Sequence, residues 1–276
     1  MLVFMKKTII LLLFLFLYLF LFFGFSYKKE SPPIIIAHRG DSANAPENTL
    51  PAIERVVRSG AFGIELDVRR TADEVLILFH DKTLKRATGN PAAVSRTSYR
   101  ELAKTDIGAL FSPRYKNTCI CTLSDALALC SRSRLPLVNL ELKDSGIEKE
   151  VLHLLQKHNL LNRCQFSSSR PEILKNIKQL SPSSDTFLIL SSPQAALSYV
   201  TKPSDGIDGI SIKSVYVCAP LIHLAHRRDQ CVYVWTVNDD FEILRMCRLG
   251  ADGIITDNPG KASELINRTY KLECSP

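Results

Sequence analysis

After Pro32-Pro33 the chain alternates between short β-branched runs and stretches with helical spacing, and few folds accommodate that order. The strand-like runs are Ile34–Ala37, Phe62–Val68, Val75–Phe79, Leu137–Leu142, Cys164–Phe166, Phe187–Leu190, Asp208–Ile212, Cys231–Val237 and Gly253–Thr256. Helices are expected near Thr49–Ser59, Leu123–Ser131, Glu148–His158, Pro171–Gln179, Ala219–Arg227, Asp239–Arg248 and Lys261–Asn267. Strands separated by helices pair in parallel, and a parallel sheet needs helices over its outer face. Over about 240 residues this pattern predicts an α/β fold, a (β/α)₈ or TIM barrel.

Nine runs are one too many for eight strands. The third follows the second after only Arg69 to Glu74, too short for a parallel crossover of a dozen residues or more. Val68 to Phe79 therefore reads as a hairpin turning near Asp73, which returns His80 to the level of Glu65 and Leu66. Residues 82–120, with Gly89, Pro91, Gly108 and Pro113, read as a small insertion after that hairpin, on the face where barrel enzymes carry their chemistry.

Side chains alternate along a strand, so Glu65 and Asp67 share one face and Ile64, Leu66 and Val68 the other. In Leu137–Lys143 the same alternation sets Asn139, Glu141 and Lys143 against Val138, Leu140 and Leu142. With the apolar faces under the helices, three carboxylates point into the barrel. Inward acids repel one another and are costly unless neutralised. Three carboxylates without a neighbouring cysteine form a hard-oxygen set suited to Ca²⁺ or Mg²⁺. His38-Arg39 ends the first run and His80-Asp81 ends the hairpin, so both histidines fall on the same face. With a divalent ion, Arg39 and Lys143 added to the three acids, the site carries about one net positive charge, as a phosphodiester anion requires. His38 and His80 then suit acid–base catalysis. His153, His158, His223 and His226 fall on helices and read as solvated or capping. Pro46–Thr49 reads as a turn feeding a helix, capped by Asn48 or Thr49, with Glu47 near the site.

The segments HRGDSANAPENT (38–49), GIELDVRRTADEVLILFHD (63–81), LELK (140–143), VYVWTVND (232–239) and GADGIITDNP (250–259) resemble the glycerophosphodiester phosphodiesterase family. The resemblance covers roughly residues 34–267. It implies a TIM barrel that hydrolyses glycerophosphodiesters to glycerol 3-phosphate and an alcohol. His38 and His80 would be catalytic, and Glu65, Asp67 and Glu141 would bind a divalent metal ion. Arg39 and Lys143 would contact phosphate, with Trp235 on the pocket wall. It also implies that a neighbouring substrate hydroxyl attacks first, giving a cyclic phosphate that water opens. The family often has Ile-Pro-Thr-Leu after the insertion, where this chain has Ile120-Cys121-Thr122-Leu123. Action on lysophospholipids, a lysophospholipase D activity, is the alternative. A glycosidase would use paired carboxylates but leave both histidines idle.

Before the barrel, residues 9–25 carry no charge and consist of Ile, Leu, Phe, Tyr18 and Gly24, flanked by Lys6-Lys7 and Lys28-Lys29-Glu30. Residues 1–30 thus read as a hydrophobic helix, a single-pass membrane anchor, with a signal peptide cleaved near Ser26 as the alternative. The expected location is a membrane, or a secreted or periplasmic one after cleavage. Of the net charge of +7, residues 31–276 keep +4 without a dense basic block, so nucleic acid is not an expected partner. No protein partner is implied. The eight cysteines show no C-x-x-C spacing and read mostly as small buried hydrophobes.

Overall fold

The computed structural model describes residues 31–59, 61–202 and 206–273. The expected hydrophobic helix at residues 9–25 lies outside them, and no described helix is long and apolar enough to cross a membrane. The strands are β1 (Ile34–His38), β2 (Gly63–Arg70), β3 (Leu76–Leu78), β4 (Leu137–Leu142), β5 (Cys164–Ser168), β6 (Asp185–Leu190), β7 (Gly209–Lys213), β8 (Cys231–Trp235) and β9 (Gly253–Thr256). The major helices are α1 (Leu50–Ser59), α2 (Leu123–Ser131), α3 (Glu148–Lys157), α4 (Pro171–Leu180), α5 (Pro193–Thr201), α6 (Ala219–His226), α7 (Asp240–Leu249) and α8 (Pro259–Glu273).

All strands except β3 are parallel, and β1 pairs with both β2 and β9, which closes an eight-stranded barrel. β3 turns back antiparallel on β2 with Val68 opposite Leu78 and Arg70 opposite Leu76. Glu74 takes φ +63° in that turn. Continuing the register brings His80 level with Leu66, at the C-terminal rim of the barrel.

Two apolar clusters join the outward faces of the strands to the helices, one gathering β1 to β5 with α1 to α4, the other β6 to β9 with α5 to α8. Inside, Ile36, Leu137, Phe187, Tyr233 and Ile255 plug the lower barrel. Phe187 and Tyr233 stack with centroids 4.3 Å apart. Gly209 leaves the room that this stack needs: a Cβ there would lie 2.3 Å from the Phe187 ring. The floor is therefore solid, and the polar inward residues above it can only form a cavity at the top.

Residues between β3 and α2 form two one-turn helices and short turns over a core of their own, including Phe79, Leu84, Val94, Leu102 and Ile107. The chain leaves this piece beside β3: Leu78 N–H donates to the Cys121 carbonyl (3.1 Å), and Thr122 Oγ1 caps α2 by accepting from Asp125 N–H. Cys121 is buried where the family often has proline, so the exit stays in place without it.

α5 was not anticipated from sequence. Its start carries an ordinary signal, Ser192 as N-cap and Pro193 in the first turn, but among its residues only Tyr199 is buried, so its apolar periodicity is weak.

Candidate active site

Strand register assembles the site. Across parallel neighbours His38 lies beside Glu65, Glu65 beside Asn139, and Asp67 beside Glu141. Neighbouring parallel strands are about 4.8 Å apart, so same-face side chains at these pairs must meet. One carboxylate oxygen from each of Glu65, Asp67 and Glu141 lies within 4.8 Å of the others. His38, Arg39, His80, Lys143 and Trp235 line the same cavity, of about 220 Å³, with Glu65 and Glu141. Every residue proposed from sequence for the site is thus gathered around the barrel mouth, Asp67 buried just beneath at 1% exposure.

The β1–α1 loop supports the cluster through unusual backbone. Arg39 and Asn48 adopt φ near +57°, and Asn48 N–H donates to the Arg39 carbonyl (2.9 Å). Gly40 has φ +90°, and a Cβ there would sit 2.7 Å from Ala52 Cβ, so only glycine fits. This loop aims Arg39 N–H at Glu65 Oε2 (3.0 Å). Asn48 grips Asp67 twice: its Nδ2 donates to Asp67 Oδ2 (2.7 Å), and Asp67 N–H donates to its Oδ1 (3.1 Å). The expected cap of α1 therefore falls to Thr49, whose Oγ1 accepts from Ala52 N–H.

Burial opposes ionisation of all three acids. Asp67 nonetheless keeps its charge, because Lys143 Nζ at 2.9 Å, Arg39 Nε at 3.3 Å and Asn48 hold its carboxyl well below the usual range. Glu141 pairs with Lys143, yet burial and Asp67 push it up to about 7. Glu65 is driven well above its ordinary value by burial and then by Asp67 and Glu141. Burial together with repulsion from Asp67 thus outweighs the relief from Arg39 and Lys143 at Glu65 and Glu141, though not at Asp67. Asp67 Oδ1 has no well-aligned hydrogen bond although the ammonium is close. An all-oxygen set of three clustered carboxylates, against only two nearby cations, fits a hard divalent cation.

Each histidine is held through Nδ1. His38 Nδ1 lies 2.7 Å from Asp257 Oδ1, and Asp257 also accepts from Ser42 Oγ and Asn238 Nδ2. Burial works against the Asp257 charge, but these bonds and the His38 ring hold its pKa at about 2. His80 Nδ1 lies 2.6 Å from Asp81 Oδ1. Burial lowers the His80 pKa, and Lys143 and Arg39 push the same way, against the attraction of Asp67 and Asp81. A carboxylate on Nδ1 fixes the tautomer and leaves Nε2 for the reaction. From Asp81 the ion pairs continue through Arg86 (2.6 Å) to Glu47 (2.7 Å) and on to Arg39 (2.9 Å), joining the insertion to the acid cluster.

The sequence reading gave Asn48 only a helix cap and Asp257 only the orientation of its loop, and gave Asp81 and Arg86 no role; the structure sets Asn48 on Asp67, Asp257 on His38, and Asp81 and Arg86 in the ion-pair chain. Asp257 had a signal. It follows the last strand, and barrel closure pairs Thr256 with Ala37, which sets Asp257 beside His38. Of the helical histidines, His158 is the C-cap residue of α3, as expected, with its ring also against Ser124 Oγ (3.1 Å), whereas His226 bonds Asp252 (2.9 Å). Cys121, Cys130, Cys164 and Cys247 are buried, whereas Cys218 and Cys231 are exposed.

The model of the glycerophosphoryl diester phosphodiesterase family matches residues 38–261, which contain all of these groups. The chain belongs to that family. It is 31% identical over 242 residues to a glycerophosphodiester phosphodiesterase of Caldanaerobacter subterraneus, covering 85% of this chain and 98% of the relative. It is 33% identical to a glycerophosphodiester phosphodiesterase of Bacillus altitudinis, over 84% of this chain and 97% of that one. Among solved structures, an Oleispira antarctica phosphodiesterase in complex with the product sn-glycerol-3-phosphate superposes with a TM-score of 0.75 at 28% identity, covering 86% and 97% of the two chains. A Silicibacter pomeroyi structure at TM-score 0.79 and 24% identity, covering 87% and 95%, shares the fold. This chain is accordingly an enzyme, a phosphodiesterase of the family.

Proposed function

We propose that the protein hydrolyses glycerophosphodiesters to glycerol 3-phosphate and an alcohol, with a divalent cation on Glu65, Asp67 and Glu141 and with His38 and His80 as the acid–base pair. The observation that carries this reading is the pairing of His38 with Asp257 and His80 with Asp81 around the cavity that Glu65 and Glu141 also line, with Asp67 clustered with them just beneath. Two imidazoles with Nδ1 engaged present Nε2 to the same bound molecule. One takes the proton of the attacking hydroxyl while the other gives a proton to the departing alcohol. In the second half their roles reverse as water opens the cyclic phosphate, so that water is added across one P–O bond overall. A Ca²⁺ or Mg²⁺ ion there supplies polarisation of a phosphoryl oxygen.

Arg39 and Lys143 border the cavity as the cations for phosphate. Two buried donors of residues lining it, Asn139 Nδ2 and Trp235 Nε1, have no hydrogen-bond partner among the described residues, and we assign them to the oxygens of the glycerophosphate. The Oleispira relative with its bound glycerol phosphate supports that product class. Incubation with glycerophosphocholine should release glycerol 3-phosphate and choline, stop on chelation and resume when Ca²⁺ or Mg²⁺ is restored. Turnover indifferent to the chelator would discard the metal.

The proposal includes a membrane tether over residues 9–25, supported by the length and apolarity of that run. Retention in membranes after alkaline extraction, with an intact N-terminus, is the expected result; a mature chain starting near residue 27 would mean signal cleavage instead.

A further inference from the structure

The carboxylates that orient the two histidines are themselves held in different ways. Asp257, on His38, is fixed by the barrel: Ser42 Oγ (2.9 Å) and Asn238 Nδ2 (2.6 Å) donate to its carboxylate, and its own N–H donates to Asn238 Oδ1 (2.9 Å). Asp81, on His80, is tied to the insertion instead. Its Oδ1 lies on His80 Nδ1, and its Oδ2 accepts from Arg86 Nε (2.6 Å). The same guanidinium makes a two-pronged pair with Glu47, Nη1 to Oε2 (2.9 Å) and Nη2 to Oε1 (2.7 Å). Glu47 Oε1 also accepts from Arg39 Nη1 (2.9 Å). One planar fork is thus shared between two carboxylates from separate parts of the chain, the end of the hairpin and the β1–α1 loop.

Arg86 is placed by the insertion. It sits in the one-turn helix Lys85–Thr88, which ends on Gly89 at φ +79°. Just before it, Leu84 is buried in the insertion's own core, and its N–H donates to the Ala92 carbonyl (2.9 Å). Yet the Arg86 side chain is 53% exposed. Ion pairs so open to water add little to stability, so bracing the fold is a poor explanation for this bridge.

We infer that Arg86 is a positioning residue for the reaction: through Asp81 it fixes the His80 ring, and through Glu47 it fixes Arg39, so that the insertion sets the geometry of both. The inference rests on the phosphodiesterase reading above. His80 and Arg39 line the reacting cavity, and the effect of Arg86 reaches it through the two carboxylates.

Steady-state kinetics of the full-length protein on glycerophosphocholine, with Ca²⁺ or Mg²⁺ saturating, test this. Arg86→Ala is expected to lower kcat by about 10–100-fold, the loss usual when the outer partner of a site residue is removed. KM should rise as well, because Arg39 is freed. Asp81→Asn should reproduce the fall in kcat, and Glu47→Ala the rise in KM. In the double variant Arg86→Ala, Asp81→Asn, kcat should fall no further than in the more damaged single one, since both act on one ring. Arg86→Lys keeps the charge without the fork and should stay impaired. Arg114→Ala, at an exposed insertion arginine beside the Tyr115 ring, should leave turnover unchanged. Full turnover in Arg86→Ala or Arg86→Lys, or losses that multiply in the double variant, overturn the assignment. So does an equal loss in Arg114→Ala, which would reduce the effect to folding of the insertion. Failure of the unaltered protein to cleave glycerophosphocholine would instead bring down the underlying phosphodiesterase reading.

Discussion

The two sides of the barrel mouth are built on different principles. From β1 to β4 the rim is charged: His38, Arg39, Glu65, Asp67, His80, Glu141 and Lys143 are tied together and to Asp81, Arg86, Glu47 and Asp257 by ion pairs and hydrogen bonds. From β5 to β8 the cavity wall is neutral, with Ser167, Ser169, Ser191, Ser211, Ile189 and Trp235. The first side is over-determined, because each buried charge needs a partner and removing one strands another. The second carries few such constraints. Chemistry that must position protons and a cation belongs on the side where each charge is held by a partner.

That contrast can be broken most sharply at the histidines. His38→Ala and His80→Ala should each reduce turnover by roughly 10²–10⁴-fold with an unchanged circular dichroism spectrum; full activity in either would discard the acid–base pair. Asp257→Asn keeps the shape but frees the His38 ring to take the wrong tautomer. A loss in kcat of roughly 10²-fold or more is expected, with little change in KM. An intact kcat would reduce Asp257 to a loop tie. Asn48→Ala removes a neighbour of Asp67 without touching the other acids, and should raise the metal concentration for half-maximal activity by about 10–100-fold. An unaltered metal titration would separate Asn48 from the cation site.

Acid stability gives a smaller effect on the same side. The folded pKa of Asp257, about 2, lies below its ordinary value of 3.8. The unfolded chain therefore binds the proton first, and the stabilisation, present above about pH 4, is lost as pH falls toward 2. Urea midpoints should drop over that window and drop less in Asp257→Asn. On the neutral side, Ser211→Ala should leave glycerophosphocholine turnover near its original rate. A large effect there would erase the distinction between the two sides.

The alternation of strands and helices, the hairpin at Val68 to Phe79 and the inward acids were readable because they follow from period and spacing. A six-residue gap cannot hold a crossover, and a side chain two positions along a strand must return to the same face. The strand ends were less readable: β2 runs on to Arg70, and β8 stops at Trp235 rather than Val237. α5 escaped because a helix that buries one residue writes almost no pattern into its sequence. Local spacing also could not tell that Arg39 and Lys143 would spend their charge on Asp67, that Arg86 would reach back from the insertion, or that Asn48 would leave helix capping to Thr49.

The amino-acid sequence alone determined the closed parallel architecture and the residue types that face its mouth, since both depend on interactions between positions a few residues apart. Tertiary structure alone decided which carboxylate holds which imidazole and how charge is divided among Glu65, Asp67 and Glu141. Those outcomes depend on register between strands distant in the chain and on burial, which alters the cost of a charge without altering the residue that bears it.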